Sequence, residues 1–166
     1  METWKAGLRE GGLALAYNTI VLARAGLRRL TRPTEVGVRA LVVRGDELLL
    51  VRHRGGRRPW SLPGGGIHRG ETLAEAAVRE AREESGCATR VLHLLGLYRA
   101  VGEGMINYVA VFLCAPLGEA LPPRHDLEIA DARFFRRHEV PANTELGSLR
   151  RFDEHQRGER GLYGPW

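Results

Sequence analysis

The chain of 166 residues has two cysteines, a single lysine, Lys5, and only 7% aromatic side chains. Cys87 and Cys114 fall in apolar patterns far from any secreted-type cysteine spacing, which excludes a disulfide framework and suits a reducing cytoplasm. The net charge of +5 is carried almost wholly by arginines scattered along the chain. Scattered cations without interleaved aromatics make no stacking platform, so a nucleic-acid partner is disfavoured. Internal repeats and low-complexity tracts are absent, and the apolar run from Leu13 to Ala23 is too short to span a bilayer.

What is there reads as one soluble domain: 43% apolar and 27% charged residues in a length that buries a real core. Residues 1–33 read as an N-terminal helical extension and residues 34–166 as the main domain. In the extension, "ARA" could mimic a cleavage site, but Asn18, Thr19 and Arg24 argue against a signal peptide. The preferred reading is a helix packed on the domain or on a second subunit, which leaves a homodimer open. A basic helix on a membrane surface, with Arg24, Arg28, Arg29 and Arg32 beside the apolar face, is the lesser alternative.

The stretch "PGGGIHRGETLAEAAVREAREESGC" carries the chemistry. Thr72 and Glu75 have capping-box spacing, the following residues are good helix formers, and Gly86 stands where a left-handed cap belongs. Leu73, Ala76, Ala77 and Ala81 form an apolar stripe, and Glu75, Arg79 and Arg82 form a potential polar ladder. Glu80, Glu83 and Glu84 share one face of the last turn. There the Glu80/Glu84 repulsion costs roughly 0.2–0.5 kcal/mol and each carboxylate opposes the helix dipole. Either this is a solvated acidic face or it awaits a divalent cation. Oxygen donors with no His or Cys beside them suit Mg²⁺ or Mn²⁺. Upstream, "WSLPGGG" is a loop with few side chains whose carbonyls are expected to be free for a cation.

The pattern Gly65, Glu71 and Arg79-Glu80-Ala81-Arg82-Glu83-Glu84-Ser85-Gly86-Cys87 resembles the Nudix box, G-x5-E-x7-R-E-U-x-E-E-x-G-U. All seven fixed residues are present, a coincidence on the order of 10⁻⁸ per frame at roughly 7% usage each. The two U positions hold Ala81 and Cys87, apolar but small. The resemblance implies a divalent-metal hydrolase of a nucleoside diphosphate linked to another moiety, such as a nucleotide, sugar nucleotide or ADP-ribose. It implies metal ligation by Glu83, Glu84, Glu80 and the Gly65 carbonyl, with Arg79 orienting Glu80 and Glu71 supporting the loop–helix geometry. Glu80 is the first choice for general base. A downstream acid is the alternative, with Glu128 the best placed and Glu103, Asp126 and Asp131 as rivals. Arg52, Arg54 and Arg58, in the densest basic cluster, are candidates to hold substrate phosphate, the alternative being a solvated loop.

The implied fold is an α/β/α sandwich with a mixed sheet. Strands are predicted over Glu35–Val43, Leu48–Arg52, Arg90–Val101, Ile106–Ala115 and Ala132–Phe135, with a hairpin at "RGDE" and a late helix around Glu145–Phe152. Substrate markers are weak: Gly102 stands where some subfamilies carry a proline, and Tyr98 and Tyr108 miss the offset of a dinucleoside-polyphosphate tyrosine. Two rival readings stay open, a catalytically weak nucleotide-sensing module and an RNA 5′-end pyrophosphohydrolase.

Overall fold

The computed structural model describes Thr19 and residues 34–166, apart from residues 56, 58, 103, 104, 122, 124 and 125. The expected N-terminal helix, Arg58 and Glu103 therefore lie outside the described residues. The hairpin at "RGDE" forms: β1 (Thr34–Arg44) turns at Gly45, φ 61°, into β2 (Glu47–His53). The two strands pair only at Val43–Leu48 and Arg44–Glu47 and then diverge. β1 continues in parallel with β5 (Met105–Pro116), while β2 pairs antiparallel with β3 (Trp60–Ser61) and β6 (Ile129–Arg136). β5 pairs antiparallel with β4 (Thr89–Gly102), which pairs in parallel with β7 (Leu162–Pro165). The result is a mixed seven-stranded sheet.

Divergence of β1 from β2 opens a gap, and the loop after β3 fills it. Ala40 N donates to Pro63 O at 2.9 Å and Val38 N donates to Gly65 O at 2.9 Å. The glycine loop thus acts as an extra rung on β1, which fixes it beside the sheet.

Helix α1 (Leu73–Ser85) covers one sheet face and α2 (Leu146–Gln156) the other, the expected sandwich. Under α1 lie Val38, Ala40, Leu49, Ala76, Ala77, Ala81, Ala110, Phe112 and both cysteines. Small side chains at Ala76, Ala77 and Ala81 let the helix approach the sheet closely. The opposite core gathers Leu41, Leu50, Trp60, Leu95, Tyr98 and Phe152. Central strands buried on both faces explain why β1 and β5 read as near-continuous apolar runs. α1 starts with the expected capping box: the amide of Glu75 donates to Thr72 Oγ1 at 3.2 Å and the amide of Thr72 to Glu75 Oε2 at 2.9 Å. It ends at Gly86 in the left-handed region, φ 67°, whose amide returns to Arg82 O. α2 is pinned to the loop by Leu62 N donating to Ser148 Oγ at 3.0 Å and by Glu145 N donating to Trp60 O at 2.8 Å.

Candidate active site

Arg79 is the hub of the acidic helix end. Its Nε and Nη2 grip Glu71 at 2.8 and 3.0 Å, and Nη1 reaches Glu80 Oε1 at 2.8 Å and Glu83 Oε2 at 3.0 Å. Nη2 also donates to Gly66 O at 2.8 Å. One guanidinium therefore offsets three carboxylates and ties helix to loop. Its own pKa is raised further above the arginine range, first by the Glu71 hydrogen bonds, and the Glu71 carboxyl is held down at about 2 by the same bonds. The expected ladder is corrected here. Arg79 faces the loop rather than Glu75, whose carboxylate is kept by the capping box.

Glu84 departs from its two companions. It is buried, 8% exposed, and its Oε2 accepts from Gly64 N at 2.9 Å. Burial, reinforced by the charges of Glu80 and Glu128, pushes its carboxyl up to about 8 even though Arg39 and the Gly64 amide act the other way. Gly65 leaves no room for a side chain, since a Cβ there would lie 2.6 Å from Glu80 Oε1. The expectation of free loop carbonyls is also corrected. Leu62 O and Gly64 O accept from Arg39 Nη1 at 2.8 and 3.2 Å, Pro63 O and Gly65 O accept from β1, and Gly66 O accepts from Arg79. The loop buries polar backbone, and each carbonyl is satisfied. Gly65 O keeps only its second lone pair for a further partner.

The register of β2 with β6 brings Glu128 to this place. Among the described residues, His53, Glu84 and Glu128 bring one ligand atom each within 4.8 Å of one another. His53 Nδ1 stands 3.7 Å from Glu128 Oε1, and Nε2 lies 3.2 Å from Ser61 Oγ. Burial first, then the charge of Arg39, lowers the imidazole to about 4, so it is neutral at physiological pH. An imidazole thus stands beside the acids and adds a nitrogen donor to the oxygen donors expected from the helix. The buried Nδ1 makes no hydrogen bond, which leaves it oriented for a further partner.

The rival acids are committed elsewhere. Asp126 Oδ1 accepts from the amides of Glu128 and Ile129, each at 2.7 Å, and so shapes the loop. Asp131 pairs with Arg133 and accepts from Ala132 N. Arg54 turns its Nε to Asp126 O at 2.9 Å, while its amide donates to Glu128 O at 2.9 Å. It thereby anchors the segment that delivers Glu128. Arg52 stands in β2 opposite Trp60 and Asp131.

Sequence reasoning did not single out His53 or Arg39. The signal for Arg39 was a lone cation inside the apolar run "VGVRALVV"; His53 was hidden inside the basic cluster "VRHRGGRRPW". Next to these groups lies a cavity of about 370 Å³, lined by Glu35, Gly37, Arg39, Gly65, Asn107 and Glu128 among others. Its size is in the range of small-molecule sites.

A mixed sheet between two helices, with a capped acidic helix locked to a glycine loop, is the architecture of a Nudix hydrolase. The chain belongs to that family: the NUDIX domain matches residues 33–155. It is 29% identical over 131 residues to the ADP-ribose pyrophosphatase of Methanocaldococcus jannaschii, covering 75% of this chain and 76% of that protein. It is 37% identical over 83 residues to a MutT-like protein of Streptomyces ambofaciens, covering 50% of this chain and 53% of that one, so it spans only about half of that relative. The solved structure of a UDP-X diphosphatase superposes with a TM-score of 0.65 at 25% identity, covering 87% of this chain and 74% of that one. Enzymes of this family depend in general on divalent metal, and the acids around Gly64 and Gly65 supply a donor group for one.

Proposed function

We propose that this chain hydrolyses the diphosphate linkage of a nucleoside diphosphate joined to a second moiety, of the ADP-ribose or sugar-nucleotide type, with Mn²⁺ or Mg²⁺, in the cytoplasm. One observation carries the reading. Carboxylates from two segments, Glu80 and Glu84 of α1 and Glu128 just before β6, converge on a glycine loop at the mouth of a cavity in the small-molecule range. Glu84 is buried and Glu80 nearly so, and a bound cation offsets the cost of ionising them there. The donor set fits one: Glu84, Glu128 and the neutral His53, with Glu80, Glu83 and the remaining lone pair of Gly65 O beside them. The imidazole favours Mn²⁺ over Mg²⁺, because Mg²⁺ prefers oxygen donors. Such an ion, when bound, neutralises charge on the diphosphate oxygens.

The residues then take distinct tasks. Glu80 accepts the proton of the attacking water at a carboxylate oxygen, the water oxygen forms the new bond to phosphorus, and the bridging P–O bond breaks. Arg79 holds Glu80 in place through Nη1. Glu128 is the alternative base. Asn107, whose buried Oδ1 makes no hydrogen bond, lines the cavity. That acceptor supports a ligand that brings hydroxyl or amine donors, as a ribose or an amino-substituted base does. The names of the ADP-ribose and UDP-X relatives point the same way.

The test is a hydrolysis panel of ADP-ribose, UDP-sugars, dinucleotides and nucleoside triphosphates, with Mn²⁺ or Mg²⁺, products identified by mass. The expected products are a nucleoside monophosphate and a phosphorylated second fragment. Turnover of triphosphates alone, with release of inorganic pyrophosphate, would sink the proposed substrate class.

A further inference from the structure

Arg39 is a half-buried cation in the middle of an apolar strand, flanked in β1 by the buried Val38 and Ala40 and standing opposite Val111. Strand alternation puts it on the same face as Glu35 and Gly37, and all three line the cavity with Gly65, Asn107 and Glu128. The glycine loop runs alongside. A Cβ at Gly64 would lie 2.7 Å from Arg39 Cδ, so the arginine stem packs against Gly64. Nη1 then donates to Leu62 O at 2.8 Å and to Gly64 O at 3.2 Å. These contacts hold the guanidinium in place and use only one of its nitrogens. Among the described residues, Nε and Nη2 make no hydrogen bond, and neither is sealed from solvent. No described carboxylate forms an ion pair with Arg39.

We infer that the Nε–Nη2 edge of Arg39 clamps one phosphate of the substrate, an inference that rests on the diphosphate reading above. The open edge is the side of a guanidinium that grips an oxyanion by two parallel bonds. The chain already shows that grip once, where Nε and Nη2 of Arg79 hold Glu71 at 2.8 and 3.0 Å. Carbonyl oxygens satisfy Nη1 but carry no net charge, so a half-buried guanidinium still gains from an anion. The acids that line the cavity, Glu35 and Glu128, do not supply it, because neither pairs with Arg39. The charge of Arg39 acts on both His53 and Glu84, so the guanidinium lies close to the donors proposed for the metal. A diphosphate in the cavity is then held by two cations, one exchangeable and one fixed in β1. A lysine at this position would keep a donor for the two carbonyls but has no planar fork left for the phosphate.

The probe is α,β-methylene-ADP, a nucleoside diphosphate whose bridging oxygen is replaced by CH₂, titrated calorimetrically into the full chain in EDTA. The wild type is expected to bind it, and Arg39→Lys to bind about 10-fold more weakly or worse, the loss that follows when a hydrogen bond to a charged group is removed. Arg39→Gln, which keeps an amide donor for the carbonyls but no charge, should bind more weakly still. Affinity equal to wild type in either variant, or no binding by the wild type in EDTA, overturns the clamp. Thermal unfolding with Mn²⁺ is the control. The metal-induced rise in Tm should be the same in wild type and Arg39→Lys; a smaller rise alongside weaker binding overturns the clamp, because Arg39 would then act only by holding the glycine loop. Hydrolysis is read separately. If the wild type cleaves ADP-ribose or UDP-sugars, KM should rise in Arg39→Lys; an unchanged KM sinks the clamp and leaves the diphosphate reading standing. Turnover of triphosphates alone sinks that reading, and the calorimetry still decides on Arg39.

Discussion

In metal-free protein, Glu84 should make stability fall as pH rises. The folded chain holds the Glu84 proton up to about pH 8, whereas the unfolded chain releases it near the ordinary value of 4.5. Folding therefore takes up a proton between those values. The stabilisation of the protonated form is fully present below pH 4.5 and lost as pH passes about 8. Integrated over the window, the loss between pH 5 and 9 is at most about 4 kcal/mol. Glu84→Gln removes the titration and keeps an oxygen to accept the Gly64 amide. Urea unfolding in EDTA from pH 5 to 9 should therefore show the wild type losing up to about 4 kcal/mol relative to the variant. Added Mn²⁺ should reverse the order at pH 8, because the cation favours the ionised carboxylate. Parallel pH profiles for wild type and Glu84→Gln would refute the idea that burial strains this carboxylate.

Four further outcomes are expected. Glu80→Gln should lower kcat by at least about 10²-fold with the fold intact; if it keeps near-full turnover and Glu128→Gln does not, the base is Glu128. Gly65→Ala should lower kcat while circular dichroism stays unchanged, because the methyl displaces the Glu80 carboxylate; unchanged kinetics would mean that the contact is not maintained in solution. Saturation with metal at ten times Kd should stabilise the protein by about 1.4 kcal/mol in thermal unfolding, and Glu83→Gln with Glu84→Gln should abolish that shift unless the cation binds elsewhere. His53→Ala should weaken activation by Mn²⁺ more than by Mg²⁺, and an equal loss with both ions would remove the imidazole from the ligand set.

Much of the site was legible because it is local. The helical period alone sets Arg79 against Glu83, and the capping box and the left-handed Gly86 mark both ends of α1 in the bare sequence. Strand positions came through as well, since β1, β4 and β5 run long enough for their apolar pattern to show. β7 did not: a four-residue edge strand of Leu162–Pro165 with two exposed positions carries too little pattern to stand out. The separation of the three glutamates was equally hidden. Spacing puts Glu80, Glu83 and Glu84 on one face, but only packing sends Glu84 inward to the Gly64 amide and leaves Glu83 on the surface with Arg79.

The sequence by itself determined the family, the acidic helix and its caps, because those depend on residues a turn or two apart and on backbone geometry that every helix shares. Tertiary structure alone decided that β1 and β2 part after two rungs, that the glycine loop closes the gap with its carbonyls satisfied, and that Arg39, His53 and Glu128 meet Glu84. These contacts join residues tens of positions apart. Their existence rests on strand register and on the burial of one face against a helix, and neither quantity is written in any short window of the chain.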